Sequence, residues 1–216
     1  MQIDIRVMEL LASKLCHDLV SPVSAINNGV ELIEDIGGSV VDEAMKLIGN
    51  SAGHAARRLR LFRMAYGRAG SDESLVVKDV RQTAEQYLGG GKTMLNWPDD
   101  QPVEAAAYQR GFLKTALNAI ILSEEVLAYG GVVTIRPALG VVGAGCRFEI
   151  VGRGAQLSQP FQDALSGAVA IDDLSPRTIQ PYITGRFAAH FDLTLTFEQP
   201  MPDRLDLVLS TGVSLA

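Results

Sequence analysis

The amino-acid sequence predicts an α+β protein in which a long antiparallel helical hairpin is followed by a two-layer sandwich of helices and strands. The first part of the chain contains two stretches with helical periodicity, separated by a short glycine turn. The second part intersperses helical stretches with short alternating segments, a pattern typical of helices packed on an antiparallel sheet. We therefore expect a hairpin domain at residues 1–70 and a sandwich domain at residues 75–216.

The first helix is predicted over residues 3–35. Its apolar residues recur at steps of three or four, the period of one helix face, and they are Leu11, Leu15, Leu19, Val23, Ile26, Val30 and Ile33. Pro22 lies inside this stretch and is expected to bend the helix without ending it. The following Gly37, Gly38 and Ser39 predict a stop and a turn.

The second helix is predicted over residues 41–67. Two long helices joined by so short a loop must lie antiparallel. A lone pair of helices leaves part of each apolar stripe uncovered, so we expect the hairpin to pair with a second copy of the chain. The expected assembly is a homodimer that contains a four-helix bundle. The segment from residue 67 to residue 74 is rich in small and polar residues and predicts a linker.

The sandwich domain is expected to combine four helices with five strands. The helices are predicted at residues 77–88, 108–129, 160–165 and 175–190, and the strands at residues 92–97, 132–137, 147–152, 192–198 and 204–211. The last two strands are expected to pair with each other. The single tryptophan, Trp97, is expected to pack locally.

Composition and charge exclude several classes of protein. The chain has 216 residues, of which 47% are hydrophobic and 20% charged, as in ordinary folded soluble domains. The net charge of −6 arises after residue 70, so a nucleic-acid partner is poorly supported. No signal peptide and no membrane-spanning run is recognisable, which favours a cytoplasmic protein without a membrane partner. Cys16 and Cys146 show no metal spacing, and we expect both to be small buried side chains.

His17 is the residue whose chemistry points most clearly to a function. It lies two positions from both Leu15 and Leu19, so at about 100° per residue it projects away from the apolar face. A neutral imidazole nitrogen accepts a phosphoryl group readily near neutral pH. Asp18 is placed to hold the other ring nitrogen and to stabilise the charge that develops. The alternative is an idle surface histidine beside a solvated aspartate.

Basic residues near His17 allow two interpretations. No acidic residue occurs between Glu43 and Asp72, whereas five arginines do, at positions 57, 58, 60, 63 and 68. They form either a solvated helix face or a strip that docks an acidic partner, and the candidate docking residues are Arg57, Arg60 and Arg63. Lys14, about one turn before His17, either neutralises phosphoryl charge or is a solvated surface residue.

The run His17-Asp18-Leu19-Val20-Ser21-Pro22-Val23 resembles the H-box of sensor histidine kinases, H-[ED]-x-x-[ST]-P-[LV]. The longer string from Leu11 to Leu32 is similar to the ChpT-type histidine phosphotransferases. That resemblance implies that His17 is the phosphoacceptor and that Asp18 assists it. Ser21 takes the position of a residue that, in H-box kinases, positions water for dephosphorylation, and here it either does so or only tunes contacts to a receiver aspartate.

Residues 75–216 resemble the ATP-binding domain of histidine kinases in the order of their elements, but the nucleotide boxes differ. Asn118 matches a magnesium-binding asparagine, whereas Lys114 replaces its partner. Ile150 takes the place of the aspartate that reads adenine, and residues 175–180 lack the G-x-G of the second glycine box. We therefore expect a degenerate domain retained for binding proteins, with no cofactor or metal, in which Asn118 is structural.

The resemblance implies a phosphorelay function. A phosphoryl group would pass from the aspartate of a hybrid kinase's receiver domain to His17, and then to the aspartates of downstream response regulators. The resemblance places the Mg²⁺ in the receiver's pocket rather than on this chain. Two alternatives stay open: an ATP-dependent histidine kinase with an atypical lid, and a dimeric scaffold that binds receivers without carrying phosphate.

Overall fold

The computed structural model describes residues 4–67, 75–98, 103–141 and 143–212. It confirms the α+β class. The helices are α1 (Ile5–Asp35), α2 (Val41–Ala65), α3 (Val77–Leu88), α4 (Glu104–Ala107), α5 (Phe112–Val126), α6 (Gln159–Ser166) and α7 (Ile179–His190). The strands are β1 (Thr93–Asn96), β2 (Gly131–Pro137), β3 (Gly145–Val151), β4 (Thr194–Met201) and β5 (Arg204–Ser210).

Helices α1 and α2 form the predicted antiparallel hairpin. Gly29 of α1 lets the two helices approach closely, since a Cβ at this position would lie 2.6 Å from the Ile48 side chain. Pro22 is buried within α1 and does not end the helix, as predicted. The helix ends at Asp35, and Gly37 follows with a positive φ of 58°, which favours glycine. Both helices have exposed apolar residues along their length.

The sandwich contains one five-stranded sheet in the order β1-β2-β3-β5-β4. β1 pairs with β2 in parallel, and the other neighbours are antiparallel, including the predicted pair of β4 and β5. Alternate strand residues such as Phe148 and Ile150 enter a core that they share with Phe112, Leu117 and Ile120 of α5. The intervening residues point to the opposite face.

The hairpin packs against the sandwich through the N-terminal half of α1 and the C-terminal end of α2. Leu61 and Phe62, near the end of α2, are buried in the same core as α3 and α5. On α1, Leu10 is buried against Leu174 and Ile179 of the sandwich. This packing brings the middle of α1 next to the C-terminal end of α5, although the two are about a hundred residues apart in sequence.

Two predicted helices begin later than expected. The helix expected at residue 108 begins at Phe112, because Gly111 is left-handed with φ 77° and packs against Phe191, 2.1 Å from where a Cβ would lie. The helix expected at residue 175 begins at Ile179, because the Thr178 hydroxyl accepts a hydrogen bond from the Ser175 N–H at 2.9 Å and holds a turn.

The two cysteines differ in their surroundings. Cys146 is buried as predicted, whereas the prediction for Cys16 is wrong, since it is exposed beside His17 on α1. Trp97 is buried, in agreement with local packing. Most of the predicted linker lies outside the described residues. Within the ranges that the structure describes, no helix combines the length and apolarity needed to cross a membrane.

Candidate functional site

His17 projects from α1 into solvent. Its side chain is 90% exposed, which confirms the orientation predicted from helical spacing. Nδ1 lies 3.6 Å from Asp18 Oδ1, too far for a good hydrogen bond but close enough for a charge on the ring to be felt. The ring edge that carries Nε2 therefore points away from the carboxylate. An exposed imidazole with one edge beside a carboxylate can receive a group on the other edge.

Asp18 turns in the opposite direction, towards the sandwich. Its carboxylate is only 18% exposed, and its Oδ2 lies 3.3 Å from Lys14 Nζ and 3.6 Å from Arg58 Nη1. Thus one carboxylate oxygen contacts two cations while the other faces the His17 ring. Pro22, four residues later, has no N–H, so the Asp18 carbonyl lacks the donor that would ordinarily serve it within the helix.

Two carboxylates at the end of α5 contact the cations that surround Asp18. Glu125 contacts the Lys14 ammonium, and Glu124 Oε1 accepts a hydrogen bond from Arg58 Nη2 at 3.4 Å. Glu124 also accepts a hydrogen bond from the Tyr87 hydroxyl of α3. We call the five charged residues Lys14, Asp18, Arg58, Glu124 and Glu125 the Asp18 cluster. It joins α1 and α2 of the hairpin to α5 of the sandwich.

Burial and neighbouring charges shift the pKa values of Lys14 and Glu125 in opposite directions. Burial lowers the pKa of Lys14, but Glu125 and Asp18 outweigh it, so the net direction is upward and the ammonium stays charged at neutral pH. Burial raises the pKa of Glu125, and Lys14 offsets only part of that rise. Lys14 is 11% exposed, so it is not the solvated surface residue that the sequence left as an alternative. Its ammonium acts on Asp18.

A cleft of about 320 Å³ lies beside these residues, between the hairpin and the sandwich. Lys14, Asp18 and Arg58 line one side, and Glu124 and Glu125 line another. Lys92 and Thr93 at the start of β1 contribute further polar groups. In the described parts of the chain, no three His, Cys, Asp or Glu side chains group in a way that would hold a metal ion.

The candidate docking arginines do not form one uniform strip. Arg60 and Arg63 are exposed, and Arg60 donates to Gln86 Oε1 at 3.1 Å. Arg57 is half-buried, and its Nε is a buried atom without a hydrogen-bond partner among the described residues. Arg58, which the sequence interpretation left out of the candidates, is the arginine that contacts Asp18. Ser21 is exposed one turn beyond His17, as its spacing implied.

His54 lies one turn before Arg58 and belongs to the same region of α2. Its Nε2 accepts a hydrogen bond from Arg58 Nε at 3.1 Å. Burial, followed by the charges of Arg58 and Arg57, lowers the pKa of His54 below 6.5. The ring is therefore neutral at pH 7.

The residues that match the kinase nucleotide site are used for packing. Asn118 is fully buried, and its Nδ2 donates to the carbonyls of Ala65 and Lys114 at 3.1 and 3.0 Å. Gln180 Nε2 of α7 donates to Asn118 Oδ1 at 3.3 Å, which ties α7 directly to α5. The structural interpretation of Asn118 is confirmed. Ile150 is likewise buried in the core.

Lys114 also belongs to this packed region. Its Nζ donates to the Gly67 carbonyl at 2.7 Å and lies 5.0 Å from the centre of the Phe187 ring. A buried cation held by a carbonyl and an aromatic ring is consistent with a structural contact. It joins α5 to the end of the hairpin and to α7.

Sequence reasoning missed Glu124, Glu125 and Tyr87. One signal for the two glutamates was available. Two carboxylates in the last turn of a helix are repelled by the negative end of its dipole, so their presence there indicates that cations lie nearby. Such a pair is favourable where cations from another element approach it. Nothing in the sequence indicates that these cations come from positions 14 and 58.

Comparison with known proteins identifies the family. Residues 77–202, which span α3 to the end of β4, match the family described as histidine phosphotransferase C-terminal domain. The protein phosphotransferase ChpT of Brucella abortus (strain 2308) is 33% identical over 178 residues, covering 81% of each chain. The chain belongs to the histidine phosphotransferase family.

One solved structure agrees with this assignment over nearly the whole chain. A bacterial phosphotransferase solved at 1.7 Å matches with a TM-score of 0.78 and 25% identity, over 97% of this chain and 98% of the other. The histidine kinase AdeS of Acinetobacter baumannii aligns with a TM-score of 0.45 and 13% identity. The chain is therefore a phosphotransferase enzyme, as predicted.

Proposed function

We propose that this phosphotransferase carries the phosphoryl group on His17, taking it from the aspartyl phosphate of a hybrid kinase's receiver domain. Downstream response regulators then accept it on their own aspartates. The observation that supports this most is the exposed His17 ring beside a half-buried carboxylate. A visiting aspartyl phosphate can reach such a ring without any movement of the fold.

The chemistry needs one nucleophilic nitrogen and one positioned carboxylate. The lone pair of His17 Nε2 attacks phosphorus as the bond to the receiver's carboxyl oxygen breaks, and that carboxylate leaves with the bonding electrons. Nδ1 keeps its proton, so the phosphorylated ring carries a positive charge. Asp18 Oδ1, 3.6 Å from Nδ1, favours this tautomer and stabilises that charge. Transfer to a regulator is the reverse step.

Positioning and charge supply the rest of the catalysis, since phosphoryl transfer asks for little covalent chemistry from the protein. We expect the required Mg²⁺ to be held in the receiver's acidic pocket. The exposed Arg60 and Arg63 are suited to an acidic partner surface, and Ser21 lies within one helical turn of the reacting ring. Arg57 is part of the same proposal, although it is half-buried.

We also propose that the hairpin dimerises. On α1, Val23 and Val30 are seven residues apart and 47% and 41% exposed. On α2, the exposed Met45, Ala52 and Leu59 have the same spacing. Helical rotation of about 100° per residue puts the members of each row on one side of their own helix. A second hairpin that covers both rows would complete a four-helix bundle.

The decisive test is transfer from a phosphorylated receiver. A hybrid kinase's receiver domain is labelled by its kinase with [γ-³²P]ATP, freed of nucleotide and mixed with this protein. We expect acid-labile label on the wild type and on H190A, which removes another exposed histidine, and none on H17A. Label on H17A equal to that on the wild type would refute the assignment.

The same preparation separates the two alternatives. An ATP-dependent kinase would bind Mg-ATP and label itself at His17 without a receiver. We expect neither, because Asn118 and Lys114 are committed to packing contacts. A scaffold would bind receivers and acquire no label, and its H17A variant would keep signalling in cells, whereas a carrier's H17A variant loses it.

A further inference from the structure

The two oxygens of Asp18 have different surroundings. Oδ2 faces Lys14 and Arg58, whereas Oδ1 faces the His17 ring. A carboxylate at the end of a short side chain rotates freely unless it is held, and here the two cations hold it from the side away from His17. The orientation of Asp18 therefore depends on where Lys14 and Arg58 are placed.

Those two cations are themselves held by the sandwich. Glu125 contacts the Lys14 ammonium, and Glu124 contacts the Arg58 guanidinium and the Tyr87 hydroxyl. The pKa of Tyr87 is raised well above its ordinary value by burial and by Glu124, so the phenol stays protonated and donates a hydrogen bond to Glu124. Each cation thus bridges a carboxylate of α5 to the Asp18 carboxylate of α1.

We propose that Glu124 and Glu125 are positioning residues for phosphoryl transfer at His17, acting through Arg58 and Lys14 on Asp18. This inference rests on the proposed function of His17. It assigns to the sandwich a direct part in the transfer step, exerted through the last turn of α5.

The net charge of the Asp18 cluster also supports a role for the two glutamates. The Asp18 cluster contains two cations and three carboxylates, so its net charge is −1 when all five groups are ionised. When His17 Nε2 takes the phosphoryl group and Nδ1 keeps its proton, the ring gains one positive charge beside the cluster. Without the two glutamates the cluster would be +1 and would oppose that charge.

Burial strengthens this effect. The side chains of the cluster are 11 to 28% exposed, so water screens their charges less than it screens those of surface pairs. The cluster is also built from groups of fixed position, which stabilise a developing charge without having to reorganise.

The test measures the transfer rate as the receiver concentration is varied. The variants are E125Q, E124Q and, as the matched control, E149Q. Glu149 is 22% exposed, close to the 24% of Glu125, and it pairs with Arg136 and Arg204 on the far face of the sheet. We expect E125Q and E124Q to lower the maximal rate about tenfold. In these two variants, the half-saturating receiver concentration should change less than twofold. In E149Q, both the maximal rate and the half-saturating receiver concentration should change less than twofold.

A double-mutant cycle tests the route of the effect. If Glu125 acts through Lys14, E125Q in a K14M background lowers the rate no further, whereas independent residues would show additive losses. E125D, which restores the charge, should recover most of the rate. If E125Q fails to fold, judged by its thermal transition, E124Q decides the question by the same criteria.

The outcomes distinguish this inference from the proposed function. Label on H17A would refute the function itself. A normal requirement for His17, together with rates for E125Q and E124Q equal to that of E149Q, would refute only the positioning role. A rise in the half-saturating receiver concentration at an unchanged maximal rate would also refute it, since the glutamates would then serve docking.

Discussion

Arg58 Nη1 lies 3.6 Å from Asp18 Oδ2, an ion pair that joins α2 to the turn of α1 that carries His17. The same guanidinium contacts Glu124 of α5 and lies 5.2 Å from the centre of the Tyr87 ring. One side chain therefore links the hairpin to two helices of the sandwich. The proposed phosphotransfer site and the junction of the two predicted domains share this residue.

Replacing Arg58 is expected to destabilise the protein. R58M removes the partner of two carboxylates and of the Tyr87 hydroxyl, which leaves charged groups partly buried without compensation. We expect a loss of about 2 kcal/mol in the free energy of unfolding. Urea denaturation measures it. The control is R60M, which removes an exposed arginine two residues away and should cost less than about 0.5 kcal/mol. Equal losses in the two variants would show that the cluster adds no stability.

Asp18 is expected to contribute to rate rather than to receiver binding. D18N keeps the shape of the side chain but removes the negative charge beside Nδ1, so we expect transfer to His17 to slow about a hundredfold. Rapid-quench kinetics with a labelled receiver measures the rate. D35N changes an exposed aspartate at the far end of α1 and serves as the control. A D18N rate within twofold of the wild type would contradict the role given to Asp18.

His54 is expected to stay neutral down to mildly acidic pH. Burial, then Arg58 and Arg57, lower its pKa below 6.5, so the folded protein takes up this proton less readily than the unfolded chain does. Its stabilising contribution is fully present above pH 6.5 and is lost as the pH falls through the lowered pKa. An NMR titration, assigned with H54Q, should give a midpoint below 6.5. In R58M the midpoint should rise, whereas an unchanged midpoint would contradict the coupling to Arg58.

Asn118 is expected to be needed for folding and not for nucleotide binding. N118A removes hydrogen bonds to Ala65 and Lys114 and leaves Gln180 short of a partner. We expect a loss of about 2 to 3 kcal/mol in stability. N96A, at an exposed site on β1, should be nearly neutral. Calorimetric titration with Mg-ATP should give no binding signal for the wild type, and micromolar affinity would contradict this account of the sandwich.

The exposed apolar rows are expected to hold two hairpins together. V30E introduces a charge into the row on α1, and burying that charge in a bundle is costly, so the variant should be monomeric. N28E adds the same charge at an exposed polar position two residues away and should stay dimeric. Light scattering after size exclusion measures the mass of each. A wild type that is monomeric throughout would contradict the proposed bundle.

Local signals were enough to predict most elements of the fold. Helical periodicity and the glycines at 37 and 38 predicted α1 and α2. The exposure of His17 also followed from spacing alone, because the opposite face of α1 is apolar. These features depend on residues within one or two turns of each other.

Features that depend on distant residues were not predictable in the same way. Gly111 begins α5 late because Phe191, eighty residues further on, packs against it. The contact of Glu125 with Lys14 depends on the packing of the hairpin against the sandwich. Cys16 was misjudged because free cysteine is among the residue types most often buried, whereas the side of α1 on which it lies is uncovered in one chain.

The most direct measurement of the central claim is the location of the phosphoryl group after transfer from a receiver. Mass spectrometry with fragmentation that preserves phosphoramidates should find one phosphoryl group, on the peptide that contains His17. Phosphorus–nitrogen coupling in NMR should place it on Nε2. A phosphoryl group on another residue, or an unmodified chain after the receiver has lost its own, would contradict the account.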